Sequence, residues 1–442
     1  MVDFTVDFKD KQELLKPVNG VVNGPRNEVY PWVDVSEHFM AASIPFVRLH
    51  DTIYPNAPEV DISQVFPDFN ADAQDPANYD FRKTDIYLRD IAAANAEIYY
   101  RLGETIEHHS VKNHVFPPKD PIQWAKICLG IVRHYNEGWA DGFYYNIRNW
   151  EIWEEADCPN GRLWMGTPED YFKLYHVTAR MLKKHDPSLL VGGYASCGEY
   201  PMSFTRKFFT YVKEQQLPLD FFTFDIYTDN PEDIKYKCHY IQKLMDEADL
   251  QDVPIRIAEW NCLGFTGQKI FEGTADDLKE GFRRMSSHIG ASFYVGTMLL
   301  MQDMPLENAA LYSFNTTSEW SVFDLFGSPH ISYYAFLAYK YLMDCRHRVK
   351  SEVNARHKQV YCCAGINEKG DEGALLISNF GGDAKEYSIS IEMPETQKEW
   401  LYDVYIIDAT RCLERVDSGN FEQSLDYSIY IPVHGVVEIL LK

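Results

Sequence analysis

The sequence predicts an α/β fold: a (β/α)8 TIM barrel followed by a smaller C-terminal antiparallel β-sandwich. Three observations predict it. Strand-like and helical runs alternate about eight times between residues 16 and 344, the rhythm of parallel strands joined by crossover helices. The strand-like runs, such as Leu189-Leu190-Val191 and Phe221-Phe222-Thr223-Phe224, are nearly continuously apolar, as strands buried on both faces of a parallel sheet must be. Beyond Cys345 the pattern becomes short alternating runs split by Gly, Asn and Asp, which signals a small antiparallel domain. No GxGxxG or P-loop motif appears, which disfavours an open nucleotide-binding sheet.

In order along the chain, Phe4, Val6 and Phe8 alternate with polar residues and mark a first strand. Residues 1–15 are assigned to the sandwich because the termini of a domain often lie close together. The barrel is assigned to 16–344 and the sandwich to 345–442. Within the barrel, strands are expected over 17–25, 44–51, 97–102, 147–155, 189–193, 219–227, 253–260 and 309–314. Helices are expected between them. Pro121 and Pro168 mark two helix starts, since proline suits the first helical turn. The acidic, proline-containing loop from Pro55 to Tyr79 is long for a connection inside a domain. Loops of that length are usually functional or disordered, and Phe66 and Phe69 suggest that this one is packed.

Composition limits the partners. A formal net charge of −24 from 66 acidic and 42 basic residues argues against nucleic acid and anionic membranes. It favours a neutral or cationic small molecule. No run approaches the roughly 20 apolar residues of a membrane span. The first residues lack a basic segment followed by an apolar run, and the nine cysteines are odd in number and scattered, so a reducing cytoplasm is expected. No cofactor or metal is implied. His108 and His109 follow Glu104 and Glu107 without any standard ligand spacing.

The chemistry is concentrated at strand ends. The run Asn149-Trp150-Glu151-Ile152-Trp153-Glu154-Glu155 begins as a buried strand and turns acidic. A second strand, 253–260, also ends on an acid, Glu259. Carboxylates at the end of apolar strands are costly unless paired, hydrated or used in chemistry. Two of them on two barrel strands are the minimum equipment for cleaving a glycosidic bond. Arg48 and His50, spaced i, i+2, share one face of their strand and could bind a carboxylate or sugar hydroxyls. Asp225 and Tyr227 end another strand, and Trp164 and Trp320 fall in loops above the barrel mouth, where an indole could stack on a sugar.

These residues resemble glycoside hydrolase family 39, the family of β-xylosidases and α-L-iduronidases. The likeness rests on the 149–157 run, on Trp164-Met165-Gly166-Thr167-Pro168-Glu169-Asp170-Tyr171-Phe172, on 186–193 and on Ala258-Glu259-Trp260-Asn261. It covers most of the chain. The family pattern Trp-Asn-Glu-Pro reads Trp153-Glu154-Glu155-Ala156 here, so the resemblance implies Glu155 as acid/base and Glu259, in Glu-Trp-Asn, as nucleophile. It implies a retaining exo-glycosidase on short oligosaccharides, most like a β-xylosidase, and suggests a homo-oligomer. Alternatives are another glycone (arabinoside, galactoside or uronide) and a sugar-binding protein with a degraded site. Two departures bear on the glycone. Glu154 replaces the asparagine that holds the 2-hydroxyl, and Asp225 replaces a histidine. Both are expected to add negative charge. Tyr227 is expected to hydrogen-bond the nucleophile, and Arg48, His50 and Trp320 to line the sugar site.

Overall fold

The computed structural model describes residues 2–25, 33–51, 59–198, 200–262, 273–316, 320–395 and 399–442; part of the predicted long loop, 52–58, lies outside them. The first strand is β1 (Phe4–Leu14). The barrel strands follow as β2 (Gly20–Val22), β3 (Phe46–Arg48), β4 (Glu97–Leu102), β5 (Asn149–Ile152), β6 (Leu190–Ser196), β7 (Phe221–Thr228), β8 (Ile255–Cys262) and β9 (Asn308–Leu311). Each runs parallel to its neighbours, and β2 pairs with β9 to close the ring. The eight predicted strands are these eight, with ends that differ by a few residues.

One of those ends matters for the site. The strand expected over 147–155 stops at Ile152. Trp153 and Glu155 adopt left-handed backbone angles, φ 73° and 36°, which no strand contains. Alternation would put Trp153 and Glu155 on one face, and it fails here because the chain has left the strand. Trp153 turns outward to the helices, packs against Trp124 and Trp164, and donates Nε1–H to the Leu163 carbonyl at 2.8 Å. Glu154 turns inward. Burying each such indole contributes about 1.5–3 kcal/mol, enough to hold a turn whose backbone is strained. Trp164 is therefore a buried packing residue, its Nε1–H taken by the Thr167 carbonyl at 3.1 Å, and not a stacking platform.

The helices begin where the sequence provides caps. Asp120 accepts the Ile122 amide ahead of the helix Pro121–Glu137, which ends at Gly138 with φ 71°. Thr167 and Asp170 form a reciprocal capping box for the helix Pro168–His185. Its acidic first turn and basic last turn complement the helix dipole. Tyr171 of that helix donates to the Ile152 carbonyl at 2.9 Å and so satisfies a backbone group at the end of β5. The expected segment 274–301 is two helices, Ala275–Ser286 and His288–Met301. Among the described residues no helix is long and apolar enough to cross a membrane.

The C-terminal strands are β10 (His347–Val353), β11 (Val360–Ile366), β12 (Gly373–Asn379), β13 (Lys385–Glu392), β14 (Trp400–Ile407), β15 (Cys412–Phe421), β16 (Ser424–Ile431) and β17 (Gly435–Leu441). With β1 they form a nine-stranded sheet in the order β15-β14-β17-β12-β11-β10-β1-β13-β16. Every pairing is antiparallel except β1 with β13. The sheet rolls until its two ends meet. The Tyr402 and Tyr427 rings are 5.7 Å apart, and Tyr427 donates to Asp417 at 2.8 Å. Inside the roll lie Phe4, Leu375, Ile377, Trp400 and Ile439.

The opposite face packs on the barrel. Ala374 and Leu376 join the barrel core, so β12 is buried on both faces and reads as an unbroken apolar run. The partner helix His288–Met301 is apolar all round for the same reason. Gly296 lets Tyr361 approach, since a Cβ there would lie 2.8 Å from its ring. We propose boundaries at 15/16 and 344/345, with residues 1–15 and 345–442 as one unit.

Candidate active site

The C-terminal ends of β3, β5, β7 and β8 bring Arg48, Glu154, Asp225, Tyr227 and Glu259 to one mouth of the barrel. Arg48, 3% exposed, is its centre. Its Nε donates to Glu151 at 2.7 Å, Nη2 to Glu154 at 2.5 Å and Nη1 to Glu259 at 3.1 Å. Burial disfavours the guanidinium charge, but Glu151, Glu154 and Glu259 outweigh it, so the group stays firmly protonated. One arginine thus fixes carboxylates from two strands, and the stem of β3 supplies it.

The two carboxylates singled out from the sequence sit in different surroundings. Glu259 receives Arg48 on Oε1 and the Tyr227 hydroxyl on Oε2 at 2.5 Å. Burial raises its pKa above the ordinary carboxylate value, and Arg48 and Tyr227 oppose the rise. Glu155 is half-buried. Burial pushes it well up, and the nearby Cys158, Asp225, Glu259 and Glu154 push in the same direction. Burial pushes both groups up, and hydrogen bonds from Arg48 and Tyr227 oppose the rise at Glu259.

Glu154 is buried to 1%. Its Oε2 meets Arg48, lies 3.5 Å from His50 Nδ1 and 3.8 Å from Arg101 Nε. Burial nevertheless drives it well up, Arg48 opposing and Glu259 and Glu151 adding to the rise. Asp225 pairs in register with Glu259 and is 2% exposed, with neither carboxylate oxygen hydrogen-bonded. Burial, then Glu259 and Glu154, hold it well above the carboxylate range. Desolvation favours the neutral acid at both positions, and Arg48 opposes it at both. His50 is held neutral by burial and by Arg101 and Arg48.

Trp320 lies at the same mouth. Its ring is 5.5 Å from Tyr227 and 6.4 Å from Tyr312. Asn261 donates to the Trp320 carbonyl at 3.0 Å and accepts from Tyr294 at 2.7 Å, which ties β8 to this wall. Residues 317–319 lie outside the described part.

Asp51, which the sequence places at a strand end, accepts from Tyr312 at 3.0 Å and is pushed up to about 7 by burial and Glu259. Other residues of the mouth were missed in the sequence. Arg101 pairs with Asp61 at 3.0 Å, which also accepts from Thr105. Glu151 shares Arg48. The available signal was a charge inside an apolar run: Arg101 in Ile98-Tyr99-Tyr100-Arg101-Leu102, and Glu151 between Trp150 and Ile152. Glu104, also at a strand end, is held by Ser63 away from this cluster.

A closed parallel barrel whose strand ends gather acids around one arginine defines a (β/α)8 protein with an acid-lined mouth. Residues 99–271 match the model of Glycosyl hydrolases family 39. Glu155 and Glu259 both fall inside the matched stretch. The β-xylosidase of Geobacillus stearothermophilus is 30% identical over 171 residues, 34% of this chain and 33% of that protein. The β-xylosidase of Caldicellulosiruptor saccharolyticus is 25% identical over 304 residues, 62% of this chain and 56% of that protein. The chain therefore spans between a third and just over half of the length of these relatives. The crystal structure of a glucosidase from Croceicoccus marinus superposes with a TM-score of 0.83 at 22% identity, covering 100% of this chain and 99% of that one. It shares the fold.

Proposed function

We propose that the protein is a retaining exo-glycosidase that removes terminal sugars from short oligosaccharides or glycosides, most like a β-xylosidase. Glu155 is the acid/base and Glu259 the nucleophile. The observation that carries this reading is the contrast between them: Glu259 accepts from both Arg48 and Tyr227, which hold its pKa down against burial, whereas burial and the neighbouring carboxyl groups push the pKa of Glu155 well up. The β-xylosidase relatives and the family match support the glycone class.

In this reading protonated Glu155 donates to the leaving-group oxygen while ionised Glu259 attacks the anomeric carbon. Glu155, now a carboxylate, takes a proton from the water that releases the glycosyl group. Arg48 holds Glu259 charged, and Glu154 receives the 2-hydroxyl. Asp225, Tyr227, His50 and Trp320 line the sugar site. The nine cysteines are all free thiols, which supports a reducing cytoplasm. The resemblance to β-xylosidases supports a homo-oligomer.

Proton NMR of the first product released from an aryl β-xyloside tests the mechanism. A product with the configuration of the substrate is expected, and an inverted one removes the nucleophile role from Glu259.

A further inference from the structure

Beside Glu155 lie two thiols that this mechanism does not use. The turn after β5 brings Cys158 back under Glu155, its amide donating to the Glu155 carbonyl at 2.8 Å. Cys197 follows the last residue of β6. Asp157 clamps the two segments together: Ser196 Oγ donates to it at 2.6 Å and the Cys197 amide at 3.2 Å. A carboxylate oxygen of Glu155 and the two sulfurs all lie within 4.8 Å of one another. All three residues are half-buried, so solvent reaches them.

We propose that Glu155, Cys158 and Cys197 form an inhibitory site for a thiophilic divalent cation of the zinc type. Two thiolates and one carboxylate are a ligand set for zinc, with a fourth position left for water. They do not suit magnesium or calcium, which take oxygen ligands. The hydrogen bond between the thiols lowers Cys158 against burial and raises Cys197. The buried Lys237 ammonium is spent on the Asp225 carbonyl at 2.8 Å and the Cys197 carbonyl at 3.3 Å, which adds positive charge near the sulfurs without occupying them. The other group of similar spacing, His50, Glu154 and Glu259, differs in that Arg48 already bonds both of its carboxylates.

On binding, each thiol and the Glu155 carboxyl release their protons to solvent, two zinc–sulfur bonds and one zinc–oxygen bond replace zinc–water bonds, and Glu155 is held as a carboxylate. It then has no proton for a leaving group. The binding is independent of the role of Glu155, while the inhibition rests on the acid/base reading proposed above.

Cobalt titration of the whole reduced protein tests the binding. One equivalent is expected to give the intense thiolate-to-cobalt absorption, which zinc then abolishes by displacement. Zinc at one equivalent is expected to slow hydrolysis of glycosides with poor leaving groups by about 10²–10⁴-fold, the scale of general acid catalysis, with recovery on chelation. Absence of the absorption in the unsubstituted protein overturns the site. So does its survival in the folded Cys158→Ser, Cys197→Ser variant, since the signal would then come from other thiols. Cobalt absorption with undiminished turnover overturns the inhibitory role and the acid/base role of Glu155, and leaves the metal site standing.

Discussion

Tyr227 and Glu259 share a hydrogen bond between neighbouring barrel strands, hydroxyl to Oε2 at 2.5 Å. In the β7–β8 register Tyr227 sits opposite Asn261, so its phenol reaches back by two positions to the carboxylate opposite Asp225. Together with Arg48 it opposes the effect of burial on Glu259.

Tyr227→Phe therefore has a kinetic and a pH signature. A hydrogen bond to a charged group is worth about 1.5–3 kcal/mol, so kcat/KM is expected to fall by roughly 10- to 100-fold. In the proposed mechanism Glu259 must be ionised to attack, and the lost bond held its pKa down. The acid limb of the kcat/KM profile is expected to move to higher pH. A profile that only drops in height assigns Tyr227 to packing.

Glu155→Gln is expected to leave activated aryl glycosides comparatively fast and to slow those with poor leaving groups by about 10²–10⁴-fold. The basic limb of the pH profile should vanish with it, since in the parent that limb reports loss of the Glu155 proton. Glu259→Gln should abolish turnover of both substrate types. Equal losses for good and poor leaving groups in Glu155→Gln would remove its acid role.

Asp225 leads to a prediction about stability. Its pKa is raised in the folded protein by burial, so the folded state holds the proton more tightly than the unfolded chain. The associated stability is complete below the ordinary carboxylate range and is lost as pH rises through the folded value. Asp225→Asn removes that loss. The variant is expected to gain on the parent with rising pH between pH 5 and 8. Urea unfolding at the two pH values measures it, and a pH-independent difference contradicts it.

What could be read in the sequence followed from local rules. Barrel strands announce themselves as apolar runs, and Glu155 and Glu259 stand out as acids at the ends of such runs. The contacts of Arg48 could not be read, because they join β3 to β5 and β8 across the closed barrel and depend on its stagger. Asp51 was legible as an acid at a strand end, but its contact with Tyr312 was not, since Tyr312 reaches it from the far end of the barrel segment. The turn at Trp153 escaped because alternation says nothing once φ changes sign. Cys158 and Cys197 meet only because Asp157 ties the ends of β5 and β6 together.

Glu154 is where this chain departs from the family asparagine, and its surroundings allow a specific test. Arg48, His50 and Arg101 all approach Oε2, and Oε1 is the oxygen assigned to the 2-hydroxyl. Glu154→Gln keeps the shape and removes the charge. An amide can still accept the hydroxyl through its oxygen, but it weakens the bond to Arg48 and no longer offsets positive charge on the sugar. Transition-state bonds to the 2-hydroxyl supply several kcal/mol in such enzymes, so kcat/KM is expected to fall roughly 10- to 1,000-fold, about 1.4–4 kcal/mol. A 2-deoxy glycoside should lose most of that difference between parent and variant, because it lacks the hydroxyl. If Glu154→Gln instead abolishes activity and azide restores it, while Glu155→Gln is mild, the two neighbours exchange roles. The strand end at Ile152 makes this a real alternative, since the turn sends Glu154, not Glu155, to Arg48. The paired azide measurements on the two variants decide between them.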